Sequence, residues 1–269
     1  MEVDKGSTPC LKLDLGVWRY GAPSVNDLGY CGHGPSVAAP PDPPATLAIP
    51  SWHARSGRLT VRKRWALDEL AARFALGPQD PQLTRFEAIA LEIGAGTGEA
   101  ALALAASRPD LLVIAAEVHK ASLARLLLDL EQTGAANVRV VNGDGRAVLA
   151  AQRGGQQLQL VRVFFPDPWP KRHHHNRRLI DAKFVELVAD VLAPDGVLEL
   201  ATDDERYGAV MRCLLGETPQ LDLLAEGGRA DRPLTYYERR AIEAGRPVLD
   251  LRYRRRAQLA PPAGVVPCS

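Results

Sequence analysis

The stretch AIALEIGAGTGEAALALAASRPDLLVIAAEV, residues 88–118, decides the fold of this 269-residue chain. The apolar runs AIALEIGAG and LLVIAAEV have the length of buried strands, and the segment between them has the composition of a helix that ends at Pro109. A strand, a helix and a second apolar strand in succession are typical of a parallel sheet with helices on both faces. We therefore expect an α/β fold.

The same alternation continues along the chain. KASLARLLLDLEQTG is predicted to be a helix that ends at Gly134, NVRVVNGD and LQLVRVFFPD are predicted strands, and LIDAKFVELVADVLAPDG and GVLELATDD predict a further helix and strand. Upstream, the apolar spacing of residues 62–76 predicts a helix. Near the other end, VLDLRYR alternates apolar and charged residues, which predicts an edge strand with one solvated face.

Composition limits the class of protein. Hydrophobic residues make up 46% of the chain and charged residues 24%, which allows a globular core. We expect a folded domain over 49–258, a disordered Gly- and Pro-rich extension over 1–48 and a flexible tail over 259–269. No apolar run is long enough for a membrane span and no signal pattern opens the chain, so we expect a cytoplasmic protein.

Five acidic residues follow the predicted strands: Glu92, Glu117, Asp144, Asp167 and Asp203. In parallel sheets ligands bind beyond the carboxyl ends of the strands. Gly94 and Gly96 allow close backbone approach there, but Glu99 breaks the GxGxxG pattern of a dinucleotide site. Because clustered carboxylates repel a pyrophosphate and attract a sulfonium and an ammonium group, this arrangement favours S-adenosylmethionine over NAD as the cofactor.

The segment FFPDPWPKRHHHNRR, residues 164–178, combines a stiff acidic loop with a basic run. Its three prolines fix the backbone around Asp167, so this carboxylate is preorganised for a site. The cations beside Trp169 fit RNA phosphates and unstacked bases, although a basic run can also be only a solvated face. Three adjacent histidines without an acidic or cysteine ligand do not indicate a metal site, and the four separated cysteines indicate free thiols.

The motifs LEIGAGTGE, AAEVH, NGDGRAVL, FFPDPWPK, LATD and TYYERR occur in this order. Over roughly residues 55–256, they resemble the bacterial tRNA (guanine-N7-)-methyltransferase family, and FPDPWPK joined to the downstream T-x-x-E is the most specific part. The resemblance implies a Rossmann-like class I methyltransferase fold with a seven-stranded, mostly parallel sheet whose last strand is antiparallel. It implies methyl transfer from S-adenosylmethionine to N7 of a guanosine in the variable loop (position 46) of tRNA.

The resemblance also implies roles for individual residues. It makes Asp167 the catalytic acid and implies cofactor contacts at Glu92, Gly94, Gly96, Glu117, Asp144 and Asp167. It implies substrate contacts at Lys171, Asp203, Thr235, Tyr236, Tyr237 and Glu238, and RNA contacts at Arg172, His173, Arg177 and Arg178. The chain departs from the family pattern at His173 and Asn176, where the family has basic residues, at Tyr237, where it has Phe, and near Ser122, where it often has Gly.

Three alternatives stay open at this point. Thr235 and Glu238 also fit a capping box at the start of a helix, a purely structural role. A small-molecule methyltransferase would share the fold, but it would leave the basic run unexplained. A non-catalytic RNA-binding protein could retain the fold, but the complete set of acids argues against it. For the methyltransferase reading we expect tRNA as the partner, a monomer and no required protein partner.

Overall fold

A computed structural model of the chain describes residues 59–76, 86, 88–153, 157–229 and 231–257. The predicted extension over 1–48 and the predicted tail over 259–269 lie outside the described residues. The strands within them are β1 (Ala88–Ile93), β2 (Leu111–Glu117), β3 (Val138–Asn142), β4 (Leu158–Phe164), β5 (Leu192–Thr202), β6 (Leu221–Glu226) and β7 (Leu249–Arg255).

Helices connect these strands. A first helical segment runs as α1 (Val61–Trp65), a π-helical turn (Ala66–Leu70) and α2 (Ala71–Phe74). The helices that follow are α3 (Glu99–Ser107), α4 (Lys120–Thr133), α5 (Gly145–Ala150), α6 (Ala182–Val191), α7 (Glu205–Gly216) and α8 (Tyr236–Glu243). A 3₁₀ helix spans Arg172–Arg177. None of the helices in the described ranges is long and apolar enough to span a lipid bilayer.

The strands form one sheet in the order β3-β2-β1-β4-β5-β7-β6. The pairs from β3 to β5 are parallel, while β7 is antiparallel to both β5 and β6. The prediction of a seven-stranded, mostly parallel sheet with an antiparallel last strand is therefore confirmed. Because the chain reverses its direction along the sheet at β1 and β4, the carboxyl ends of these neighbouring strands leave a crevice for a ligand.

Two apolar clusters cover the two faces of the sheet, as expected for a buried parallel sheet. One packs α6 and α7 against side chains that include Leu91, Leu112 and Val161. The other packs α3, α4 and the first helical segment against side chains that include Ala90, Val113 and Val138. Gly134, in the left-handed region at φ 65°, ends α4, as the sequence predicts.

Two sequence-based expectations differ from the structure. The strand VLDLRYR was expected at an edge, but β7 lies between β5 and β6, and β6 is the edge strand. Charged residues are tolerated on an inner strand because they are paired: Arg252 on β7 lies 3.1 Å from Glu199 on β5. The predicted helix that begins at Leu179 is also shorter, because the Asp181 side chain caps α6 by accepting a hydrogen bond from Phe184 N.

Candidate active site

The carboxyl ends of β1, β2, β3 and β4 bring four of the predicted acids to one edge of the sheet. Glu117, Asp144 and Asp167 line a cavity of about 120 Å³. Glu92 lines an adjoining cavity of about 230 Å³, and both cavities share Gly94, Gly96 and Tyr237. The structure therefore assembles residues that are up to 75 positions apart in sequence, from Glu92 to Asp167, around one continuous depression.

The glycine loop after β1 leaves the floor of this depression open. Gly94 and Gly96 have φ angles of 74° and 59°, in the left-handed region where an L side chain is strained. A Cβ atom at either position would have no neighbour within 4 Å, so the space above them is free for a ligand. Gly98 differs, because its Cβ would collide with Leu126, which indicates that this side chain of α4 lies directly against the start of α3.

Glu117 is fixed by the loops it touches. Its Oε2 accepts a hydrogen bond of 2.6 Å from the amide of Gly96, and its Oε1 accepts one of 2.6 Å from the amide of His119. Each carboxylate oxygen can accept a further hydrogen bond. Glu117 thus orders the glycine loop while it keeps acceptor capacity toward the cavity that it lines.

Glu92 is a buried acid with an unused acceptor. Only 4% of its surface is exposed, and its Oε2 accepts no hydrogen bond from the described residues. Burial raises the pKa of Glu92 to about 7, and Arg162 only partly offsets that effect while Glu199 and Glu117 add to it. A buried carboxylate that borders a cavity and lacks a donor fits a ligand with a cationic group.

Asp144 and Asp167 complete the set in different ways. Asp144 caps α5, because its Oδ1 accepts a hydrogen bond of 2.9 Å from the amide of Arg146. Asp167 is exposed between Phe165 and Trp169, whose φ angles of 53° and 46° are uncommon for residues with a side chain. Such strained positions persist where the surroundings hold them and are concentrated at functional sites.

The packing under this loop corrects two expectations about the basic run. Arg178 is only 8% exposed, donates a hydrogen bond of 2.9 Å to the carbonyl of Pro168 and lies over the ring of Tyr207. Trp169 is buried too, against the rings of His174 and the guanidinium of Arg177. Arg178 and Trp169 therefore pack against the acidic loop from its buried side. Neither has the exposure that a contact with RNA requires.

The remaining predicted RNA contacts lie on the surface beside Asp167. Arg172 and His173 are exposed, and Arg177 is half-buried through its contact with Trp169. Lys171, a predicted substrate contact, is exposed beside them. Arg172, His173 and Arg177 lie on the 3₁₀ helix, which begins directly after Lys171. The acidic loop and this cationic surface are consecutive in the chain, so the same backbone positions both.

Helix α8 and its N-cap carry four of the predicted substrate residues, but only two of these four are exposed. Tyr236 and Tyr237 are 48% and 55% exposed, whereas Thr235 and Glu238 are buried. Thr235 caps α8 by accepting a hydrogen bond from Glu238 N, which confirms the structural alternative for this residue. The Glu238 carboxylate binds Arg229 and Arg232 instead of closing the capping box, and Arg232 also binds Asp250. Both residues thus have a structural role, and Thr235 also lines the cavity that Glu92 borders, so their contacts with substrate stay a prediction.

Tyr237 lies where the cavities meet. It lines both cavities beside the acids and a third, of about 380 Å³, together with Asp203, Arg240 and Arg246. Partial burial raises the pKa of Tyr237, and the nearby Glu117 and Asp167 carboxylates raise it further. Asp203 forms an ion pair of 2.8 Å with Arg246. Tyr237 is therefore shared by all three of these cavities.

Sequence reasoning missed Arg229, Arg232, Asp250 and Glu99, which hold α8 in place. Asp250 lies 18 positions from Arg232, and Glu99 lies 137 positions from Tyr236, so no local pattern marks these contacts. Within the described residues, no group of three or more His, Cys, Asp and Glu side chains is arranged to hold a metal ion.

Comparison with known proteins agrees with this arrangement. Residues 87–251 match a family model described as "Putative methyltransferase". The chain is 42% identical to the tRNA (guanine-N(7)-)-methyltransferase of Thiobacillus denitrificans over 218 residues, which cover 77% of this chain and 96% of that protein. It is 39% identical to the enzyme of the same name from Bordetella parapertussis, over 80% of this chain and 88% of that protein. The chain belongs to the tRNA (guanine-N(7)-)-methyltransferase family.

Proposed function

We propose that this protein transfers a methyl group from S-adenosylmethionine to N7 of a guanosine in the variable loop (position 46) of tRNA. One observation carries the proposal. Four carboxylates lie together at the carboxyl edge of the sheet, and no cationic side chain of the described residues forms an ion pair with any of them. An exposed cationic segment follows the last of these acids, Asp167, in the chain. The acids favour a cationic methyl donor, and the segment favours a polyanion.

The residues of the depression fit S-adenosylmethionine, which supplies a methyl group on a cationic sulfonium when it is bound. Glu117 binds the ribose hydroxyls, since it is held by two amides and has acceptor capacity left. Glu92 accepts from the ammonium group, which satisfies its buried Oε2. Gly94 and Gly96 admit the ligand close to the backbone, and Asp144 lines the cavity on its far side.

The acceptor side is built from Asp203, Lys171, Tyr236 and Tyr237. Guanine N7 carries an exposed lone pair and no proton, so the reaction needs alignment more than a general base. Methylation makes the purine ring cationic, and a carboxylate that already faces the reacting base stabilises that developing charge. Asp167 has this role: it is exposed, it lines the cofactor cavity and its loop is held by prolines and by Arg178.

The surface formed by Lys171, Arg172, His173 and Arg177 binds the tRNA backbone. Phosphate contacts from such cations position a nucleic acid without reading its sequence. The target guanosine is then chosen by its place in the folded tRNA and by the cavity that Tyr237 and Asp203 line. We further propose that the protein acts as a monomer in the cytoplasm and needs no protein partner.

The test is to incubate the protein with methyl-labelled S-adenosylmethionine and a tRNA transcript, and to map N7-methylguanosine by chemical cleavage of the RNA. We expect a single modified guanosine in the variable loop. In Asp167→Asn, which keeps the shape of the side chain and removes its charge, we expect kcat to fall by about a hundredfold, the effect of losing one preorganised electrostatic group.

Other outcomes identify the alternatives. Methylation of small molecules but not of tRNA would favour a small-molecule methyltransferase, and tRNA binding without methylation would favour a binding protein. A wild-type rate in Asp167→Asn would show that this carboxylate only shapes its loop.

A further inference from the structure

Glu99 links the cofactor side of the site to the acceptor side. It is the first residue of α3, directly after the glycine loop. Its Oε2 accepts a hydrogen bond of 2.7 Å from the amide of Tyr236, and its Oε1 accepts one of 2.6 Å from Arg239 Nη2. A single carboxylate thereby joins the glycine loop to helix α8, 137 and 140 residues later in the chain.

Glu99 and Glu238 have different roles at the start of α8. The first amides of a helix lack partners within the helix, and a capping box satisfies one of them with an acid three residues after the cap. Here that acid, Glu238, is bound to Arg229 and Arg232. Glu99 instead satisfies a different free donor, the amide of Tyr236 at the first position of α8, from another element and at the positive end of the helix dipole.

The link also sets the shape of the cavity that Glu92 borders. The floor of this cavity consists of Glu92 and the glycine loop, and its opposite wall contains Tyr236 and Tyr237 from α8. Glu99 lines the same cavity at the junction between them. The distance between floor and wall therefore depends on the bonds that Glu99 makes to Tyr236 and Arg239.

We infer that Glu99 is a positioning residue that holds α8 over the glycine loop and so retains the bound cofactor and places Tyr237 against it. The residue that breaks the dinucleotide-binding pattern thus has a positive role in this chain. The effect on the cofactor follows from membership of the family, while the effect on tRNA turnover rests on the proposed function.

A surface ion pair would be the simpler account of Glu99 and Arg239, whose side chains are 34% and 43% exposed. Such exposed pairs contribute little. The bond to the amide of Tyr236 is different in kind, because it restrains the backbone at the start of α8. Glu99→Gln separates the two contributions, since the glutamine oxygen can still accept from the amide but carries no charge for Arg239.

The experiment measures the dissociation constant and the dissociation rate of S-adenosylmethionine in the full chain. For Glu99→Ala we expect affinity about tenfold weaker and dissociation faster by a similar factor, the scale of one lost charge-assisted hydrogen bond. For Glu99→Gln we expect about a threefold effect, because one of the two bonds remains. The control is Glu226→Ala, which removes a surface ion pair of similar exposure with Arg212 and should leave cofactor binding unchanged.

Hydrogen exchange of the protein without cofactor gives a second readout. In Glu99→Ala the amides at the start of α8 should exchange faster while those of β1 and β4 keep their protection. Unchanged cofactor dissociation together with unchanged α8 exchange would overturn the inference. If Glu99→Ala unfolds, the test uses Arg239→Met instead, which removes the same ion pair from the α8 side. The inference then requires Arg239→Met to raise the dissociation rate of the cofactor. Failure of the proposed function would look different: wild-type protein that binds the cofactor but does not methylate tRNA.

Discussion

Glu92 and Glu199 lie in the same cross-strand row of the sheet, but only Glu199 is paired. The register places Glu92 opposite Arg162, Arg162 opposite Glu199, and Glu199 opposite Arg252. Both acids are buried. Arg162 donates its hydrogen bond of 2.8 Å to Glu199, and Arg252 lies 3.1 Å from the other oxygen of Glu199. Glu92, at the end of the row, keeps a carboxylate oxygen without a donor.

The same contrast holds between two larger regions. Around α8 and β7 the buried acids are neutralised from within, since Arg232 binds both Glu238 and Asp250. At the carboxyl edge of β1 to β4 the acids form no ion pair with described residues. Burying a charge is costly unless it is paired, so the first region is complete by itself and the second is suited to a cation from outside. We propose that one region supports structure and the other binds the ligand.

Arg232→Met breaks the paired region and should have the largest effect. It leaves Glu238 and Asp250 buried without their shared cation, so we expect the free energy of unfolding to fall by about 3–5 kcal/mol. Denaturant titration measures this change. The control is Arg212→Met, which removes an exposed pair with Glu226 and should cost less than about 1 kcal/mol. Equal losses in the two variants would mean that burial of the pair makes no difference.

Glu92→Gln tests the unpaired region through pH. The folded-state pKa of Glu92 is about 7, against 4.5 for an ordinary glutamate, so the folded protein binds more protons than the unfolded chain between these values. The contribution of Glu92 to stability is therefore complete below pH 4.5 and is lost as pH rises through 7. At pH 8 we expect Glu92→Gln to be more stable than wild type by about 3 kcal/mol, and this difference should vanish below pH 4.5. A difference that stays constant with pH would contradict the assignment.

Glu117→Ala should have the smallest effect on free energy. It removes the carboxylate that orders the Gly96 amide and that we propose binds the ribose hydroxyls, so we expect S-adenosylmethionine to bind about tenfold more weakly. Calorimetry measures the affinity, and the control is Asp190→Ala, which removes an exposed partner of Arg153 on the far side of α6. If a folded Glu117→Ala binds the cofactor like wild type, the cofactor lies elsewhere in the depression.

The unpaired region could be predicted from the sequence because the position of each acid next to a strand is visible in the local sequence. Each acid follows a strand, strands of a parallel sheet share one edge, and Glu92, Glu117, Asp144 and Asp167 therefore had to meet. The prolines around Asp167 likewise predict a stiff loop. The resemblance to a family assigned roles to these residues. Those roles follow from the sequence motifs alone and do not require the packing to be known.

The bonds of the paired region could not be predicted, because no local pattern links Arg232 to Asp250, 18 positions later. Nothing near Arg178 indicates that its guanidinium reaches Pro168 and Tyr207 instead of solvent. The alternation of VLDLRYR is the same for an edge strand and for an inner strand whose arginines are paired with a neighbour. Glu99 was visible only as a departure from a glycine pattern, since its partners are more than 130 residues away.

The most direct test of the contrast between the two regions is the number of protons released when S-adenosylmethionine binds at pH 7, measured by calorimetry in buffers of different ionisation enthalpy. With a pKa of about 7, Glu92 is partly protonated before binding, and we expect it to become ionised opposite a cationic group. We predict that wild type releases about half a proton more than Glu92→Gln does. The same proton count in both proteins would contradict the account, because it would mean that Glu92 does not meet the cationic group that we propose it binds.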